Sequence, residues 1–220
     1  MLILFAVTVW PAARFDDTAT AAPPKNDEFA ATVLTSDGAL AARAEVALAI
    51  AGSQVMVKNG ELSWTAGAPR CRTDAAGRFH FPRQADDFWL VITHPLGYLR
   101  VKCFAKSLPA TFKLNAWARA EGTLRTARQL QPHVGIRIDH DLTQHAANDA
   151  LIFFSETGTT DGQGRFVLER VLPGRGTIGK ELARTQEGAS LSSSRRVRIR
   201  FDAGKTTRID LGNSGRPVIG

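Results

Sequence analysis

Helix-forming stretches are scarce in this sequence. Only residues 38–51 are rich in Ala, and there Glu45-Val46-Ala47-Leu48-Ala49-Ile50 alternates as a strand would. Long apolar runs are missing too: Met1-Leu2-Ile3-Leu4-Phe5-Ala6-Val7-Thr8-Val9-Trp10 is too short to cross a bilayer as a helix. No His-Glu-x-x-His, Gly-x-Ser-x-Gly, Walker-type loop or paired Cys-x-x-Cys occurs, so the motif-borne hydrolase, nucleotide and zinc chemistries are excluded. Cysteine is nearly absent. Cys71 and Cys103 make an even pair compatible with a disulfide in an oxidising compartment, but no second pair accompanies them in the rest of the chain, which favours two buried free thiols.

What is present is a repeat. Thr73-Asp74-Ala75-Ala76-Gly77-Arg78-Phe79 returns as Thr160-Asp161-Gly162-Gln163-Gly164-Arg165-Phe166. In each copy a polar Asp and a Gly sit between extended, alternating segments. Asp bonds its own backbone two residues on and Gly supplies positive φ, which is the chemistry of a tight β-connection built on Asp74 and Gly77, and again on Asp161 and Gly164. Val134-Gly135-Ile136-Arg137-Ile138 alternates as Val46-Ala47-Leu48-Ala49-Ile50 does, at an offset of about 88 residues that is close to the hairpin offset. Two copies of one small β-domain follow, each large enough to bury its own core.

The expected architecture is all-β, two tandem antiparallel β-sandwiches. Residues 1–28 form a strand or truncated leader with a linker, 29–115 the first sandwich, 116–212 the second, and 213–220 a C-terminal linker. Residues 5–10 read as the last strand of a domain preceding this chain, or as part of a leader ending at Ala19-Thr20-Ala21. Phe79, Val91 and Ile92 are expected in the first core; Phe166, Ile136 and Val197 in the second. Residues 52–68 read as an irregular insertion holding Trp64.

These residues resemble the carboxypeptidase regulatory-like domain. An opening strand, the Asp37-Gly38 turn, an Ala-x-Val-x-Leu strand, the Thr-Asp-x-x-Gly-x-Phe hairpin and Pro95-Leu96-Gly97-Tyr98 carry the resemblance from Phe29 to Leu114. It is weaker in the second unit, which opens on Gly122-Thr123-Leu124, lacks the Asp-Gly turn and has Pro173-Gly174 in place of Gly-Tyr. The resemblance implies a transthyretin-like, seven-stranded sandwich. It also implies a non-enzymatic accessory module of a larger extracytoplasmic bacterial protein, in the periplasm, at the cell surface or secreted. No cofactor is implied. Its partners would be other domains of the same polypeptide, an envelope protein or a glycan, and the unit itself a monomer.

The net charge of +7 lies wholly in residues 165–220, where twelve Lys/Arg stand against five Asp/Glu. On a strand, Arg196, Arg198 and Arg200 share one face and Val197, Ile199 and Phe201 the other. The only aromatic there falls on the apolar face, so a solvated outer face fits better than a nucleic-acid groove. As a metal site the densest set is Asp139, His140, Asp141, His145 and Asp149, of which His140, Asp141 and His145 are the best ligand types. Irregular spacing without cysteine favours a polar surface loop instead. Trp89 reads as core. Trp64, beside Ser63 and Thr65, is the residue that would mark a carbohydrate or peptide site.

Overall fold

The computed structural model describes residues 27–126, 128–140, 149–181 and 196–212. The reading of residues 1–10, the C-terminal linker and the candidates Asp141 and His145 lie outside them. The described residues are all β, with no helix. The first unit carries β1 (Glu28–Leu34), β2 (Glu45–Ala49), β3 (Gln54–Lys58), β4 (Glu61–Ala66), β5 (Arg70–Arg72), β6 (Arg78–Pro82), β7 (Phe88–His94), β8 (Gly97–Cys103) and β9 (Thr111–Lys113). The second carries β10 (Ala118–Thr126), β11 (Gln129–Leu130), β12 (Gly135–His140), β13 (Leu151–Thr159), β14 (Arg165–Val171), β15 (Gly174–Lys180), β16 (Val197–Phe201) and β17 (Thr206–Leu211).

Both units have one topology. A three-stranded sheet, β6-β1-β9, faces a four-stranded one, β5-β2-β7-β8; in the second unit β14-β10-β17 faces β13-β12-β15-β16. The first is a seven-stranded β-sandwich, and the second has the same seven strands with the two-residue β11 added beside β10. Neither is purely antiparallel, since β1 runs parallel to β9 and β10 parallel to β17. The equivalent of β2 is β12 at an offset of 90 residues: Ala44 N donates to Thr73 Oγ1 and Val134 N to Thr160 Oγ1. The 88-residue alignment therefore slips by two, one full period of a strand, which leaves the facing of every side chain intact.

The repeated hairpin holds its loop in one way twice. Asp74 Oδ1 accepts from Ala76 N and Arg78 N, at 2.9 and 2.8 Å; Asp161 Oδ1 accepts from Gln163 N and Arg165 N, at 2.8 and 2.9 Å. Gly77 and Gly164 have φ of 69° and 68°. A Cβ at Gly77 would stand 2.8 Å from Val33 O, and at Gly164 3.0 Å from Gln131 N, so neither position has room for a side chain.

The segment 52–68 is not irregular. It forms the β3–β4 hairpin, and β3 leaves the first sandwich to pair parallel with β13, from Gln54↔Leu151 to Lys58↔Ser155. The result is a six-stranded sheet, β16-β15-β12-β13-β3-β4, built from both units. The reason is legible afterwards: Gln54-Val55-Met56-Val57-Lys58 alternates, and its Val face needs apolar cover. Val55, Val57 and Leu62 are fully or nearly buried, each worth about 1.5–3 kcal/mol of transfer from water.

Three cores result. The first collects Phe29, Val33, Val46, Leu48, Phe79, Phe81, Phe88, Leu90, Ile92 and Phe112 between the sheets of the first unit. Another fills the second unit with Leu124, Ile136, Ile138, Phe166, Leu168, Ile178, Phe201 and Ile209. Between the units, the far face of the first four-stranded sheet (Ala47, Ala49, Val91) packs on Val55, Val57, Leu62, Trp117, Ile152 and Phe154. Val91 thus belongs to this middle core and not to the first. Ile92 and Val91 point to opposite faces of β7, and both are buried because that sheet is covered on both sides. Val197 is 38 % exposed, contrary to its expected place in the second core. It opens β16, the edge strand of the six-stranded sheet; further along the strand Ile199 packs against the core and Phe201 is buried in it.

Cys71 sits on β5 and Cys103 on β8, the two outer strands of one four-stranded sheet. Three strand spacings, about 14 Å, separate those strands, twice the reach of a disulfide. Both thiols are free, and burial pushes Cys71 up to about 12 and Cys103 up to about 11.

Candidate binding surface

One face of the six-stranded sheet packs on the cores; the other is exposed at its two ends, with Ser155 buried between them. Residues directly opposite across strands point to the same side of a sheet, so register assigns the open face. Phe153 pairs with Met56 and Met56 with Trp64. These three side chains form a row across β13, β3 and β4. Trp64 is 49 % and Phe153 43 % exposed, and Met56 between them is half-buried. Leu151, two residues before Phe153, is exposed on the same face.

Trp64 reaches this face through a bulge. Val57 pairs with Leu62 and Met56 with Trp64, so Ser63 is an extra residue on β4. Without it, Leu62 and Trp64 would share the buried side by the period-2 rule. Ser63 Oγ donates to Met56 O at 3.2 Å across the irregularity. Trp64 is therefore presented by a bulged hairpin strand rather than by a loop.

The basic strand lies on the same open face, at the other end. Asp139 pairs with both Ser155 and Thr177, and Thr177 pairs with Arg198. Phe153 precedes Ser155 by two, and Arg175 precedes Thr177 by two, so Phe153 and Arg175 lie on the same face of the sheet. Arg175 in turn pairs with Arg200. The three arginines of the sequence reading differ in partner. Arg196 Nη2 meets Asp139 Oδ2 at 3.0 Å, and Arg200 Nε meets Asp202 Oδ1 at 3.5 Å with both groups largely in water. Arg198 and Arg175 are exposed. Arg175 was missed from sequence because it lies in a Gly-rich stretch; only strand pairing sets it opposite Arg200.

Among the described residues the metal candidates do not converge. Asp139 faces the open side and holds Arg137 Nε at 2.7 Å as well as Arg196. His140, the next residue on the strand, faces the opposite way. Its side chain is buried, with Nε2 2.5 Å from Glu156 Oε2, while Glu156 Oε1 accepts from Leu172 N at 3.1 Å. Asp149 accepts from Trp89 Nε1 at 3.2 Å. No three metal-ligating side chains gather among the described residues. Asp139 and His140 belong to β12, not to a surface loop. His94 caps its own turn, its Nδ1 accepting from Leu96 N at 3.2 Å, and its carbonyl accepts from Trp117 Nε1 at 2.9 Å.

The sequence reading also overlooked Thr73 and Thr160. Each is buried at the head of its hairpin: Thr73 Oγ1 donates to Ala41 O at 2.6 Å, and Thr160 Oγ1 to Gln131 O at 2.7 Å. The signal was present, since both copies of the motif begin with Thr.

No protein-family model matches this chain, and no curated protein matches it. Among solved structures it is similar to the minor pilin of Streptococcus agalactiae, at 10 % identity and TM-score 0.37 over 83 % of this chain and 94 % of that one. It is similar also to a streptococcal ancillary pilin, at 12 % and 0.35 over 88 % and 64 %. A third is the shaft pilin of Lactobacillus rhamnosus GG, at 12 % and 0.32 over 86 % and 98 %.

Proposed function

We propose that this chain is a non-catalytic spacer and interaction module of a larger extracytoplasmic protein, made of two carboxypeptidase regulatory-like sandwiches held in one fixed orientation. The observation that carries this reading is the β3–β4 hairpin, which the first unit contributes to the sheet of the second. A flexible tandem would need only a linker at residue 115. Here a ladder of backbone pairs and a shared core under it join the two units, and Trp117 stacks on Tyr98 with centroids 4.7 Å apart. Breaking that joint exposes Val55, Val57, Ile152 and Phe154 together, which costs several kcal/mol by their area. Rigid separation of whatever is attached at each end is the mechanical consequence.

The repeated polar residues are occupied in turns. Asp74, Asp161, Thr73 and Thr160 all bind backbone, and the buried His140–Glu156 pair is closed in on itself at its Nε2 side. Small-angle scattering of the chain, and of a variant with residues 54–66 replaced by a short Gly-Ser linker, tests the spacer. The expected outcome is a single compact-rod profile for the natural chain and a broadened distribution for the variant. A natural chain already sampling many inter-unit angles would overturn it. A second reading, carbohydrate or peptide binding through residues 52–68, is favoured by one observation: the exposed Trp64–Met56–Phe153 row.

A further inference from the structure

We propose that the outer edge of β16 takes up an extended peptide of a partner protein as a further strand, one in which acidic and apolar residues alternate. This edge is independent of the spacer reading, since neither the joint between the units nor the row at Trp64 takes part. β16 closes one end of the six-stranded sheet and β4 the other. β4 is guarded: Ser63 breaks its register, and Glu45 Oε2 accepts from Leu62 N at 3.1 Å, which occupies a backbone donor of that edge. β16 carries neither device. Its five residues pair with β15 without a shift, from Val197↔Ile178 to Phe201↔Gly174, and among the described residues none of its backbone groups bonds beyond that ladder. An edge of this kind is a template for one more strand.

Both faces of the strand choose the occupant. On one, Arg198 and Arg200 are exposed, and Arg200 stands directly opposite Arg175. Like charges so placed destabilise a sheet, and Asp202 draws on Arg200 only from 3.5 Å, in a pair largely open to water. On the other face Val197 is 38 % exposed and Ile199 half-buried, so the apolar stripe that ends in buried Phe201 is incompletely covered. A seventh strand, about 4.8 Å away, covers Val197 and Ile199 with its own apolar side chains. Its carboxylates stand beside Arg198 and Arg200, whose planar guanidinium groups donate two bonds to each. Because side chains alternate along a strand, the acidic and apolar residues of the peptide must alternate too. A second copy of this chain fits badly. Two β16 edges paired about a two-fold axis set the arginines of one against those of the other. The arginines thus turn the chain away from itself and admit an acidic strand.

The experiment is fluorescence anisotropy of a labelled peptide, Thr-Glu-Val-Glu-Val-Glu-Thr, titrated with the full chain. Comparison peptides carry Lys in place of Glu, Ser in place of Val, or backbone N-methyl groups on every Val or on every Glu; a single-stranded oligonucleotide is the last probe. The variant is Arg198→Thr with Arg200→Thr, Thr being chosen because it keeps strand propensity at exposed positions. Circular dichroism establishes that it is folded. The expected result is binding of the Glu-Val peptide, weakened about tenfold by the arginine pair, with the Lys and Ser peptides both weaker. N-methylation of one residue type abolishes binding and of the other does not, since only alternate N–H groups of an added strand face the ladder. Equal binding of both N-methylated peptides overturns strand addition. Equal binding of the Ser peptide, or indifference to the arginine pair, overturns the match of both faces. An oligonucleotide that binds as tightly through the same arginines overturns the proposal in favour of nucleic acid. A chain that dimerises through β16 overturns it in favour of a second copy, and no binding by any probe overturns it outright. A failure of binding by a chain that still scatters as a rigid rod leaves the spacer reading standing.

Discussion

Leu62 and Trp64 stand two residues apart on β4 and face opposite sides of the sheet. The bulge at Ser63 is the cause, and it converts a buried position into an exposed one. Deleting Ser63 restores period 2 and turns the indole toward Val55, Val57 and Ile152, where the middle core is already filled. Overpacking of this kind costs about 1–3 kcal/mol. Urea unfolding of the deletion variant should show a loss in that range. An unchanged midpoint, with the indole still solvent-exposed by quenching, would mean the hairpin re-registers without cost.

Thr73→Val and Thr160→Val should destabilise by similar amounts, about 1–3 kcal/mol each, because each removes a buried hydroxyl and leaves a backbone N–H and a carbonyl without that partner. Denaturant melts of the two variants check this. A loss in one unit and none in the other would deny that the two networks are equivalent.

Gly77→Val and Gly164→Val each place a β-branched residue at positive φ, against backbone atoms 2.8 and 3.0 Å away. The conformational part alone costs about 1–3 kcal/mol. Because the hairpin joins the units, both variants should lower the midpoint of one shared thermal transition. Two resolved calorimetric transitions, only one of them shifted, would show that the units unfold independently despite their common sheet.

The His140–Glu156 pair is buried on both sides, so removing one partner leaves a polar or charged group without compensation. His140→Phe and Glu156→Leu should each cost about 3–5 kcal/mol, and the double variant less than their sum. A double-mutant cycle measures the difference. Additive losses would indicate that the two side chains do not interact.

Burial raises both thiols, so in the folded chain Cys71 and Cys103 stay protonated at neutral pH and alkylate slowly. An acid raised above its ordinary value of 9.0 favours the folded state below that pH and loses this contribution as pH climbs towards about 12 for Cys71. Iodoacetamide labelling should therefore be slow until denaturant is added, and alkaline unfolding should set in earlier for the natural chain than for Cys71→Ala. Rapid labelling at pH 7 in the native state would refute the assignment.

Local chemistry was legible in the sequence wherever a short stretch decides its own conformation. The Thr-Asp-x-x-Gly-Arg-Phe hairpins are closed by bonds within a few residues, so reading them once gave both loops, and period-2 alternation identified Phe79, Ile92, Ile136 and Phe166 as core. Alternation also separated Arg196, Arg198 and Arg200 from Phe201. What it could not give was which sheet a strand joins. Gln54-Val55-Met56-Val57-Lys58 needs one apolar neighbour, and nothing in five residues says that the neighbour is Ile152-Phe153-Phe154, about a hundred positions away in the other unit. The exposure of Trp64 and Val197, the middle core around Val91, and the setting of Arg175 against Arg200 all follow from that one long-range pairing or from a strand's place at an edge. The sequence by itself determined the repeated turns, the strands outside residues 52–68 and the two-fold repetition, because backbone sterics and hydrogen bonding act locally. Only the tertiary structure decided how the units join and which side chains share the open face, because strand partners are chosen by burial of surface from the whole chain.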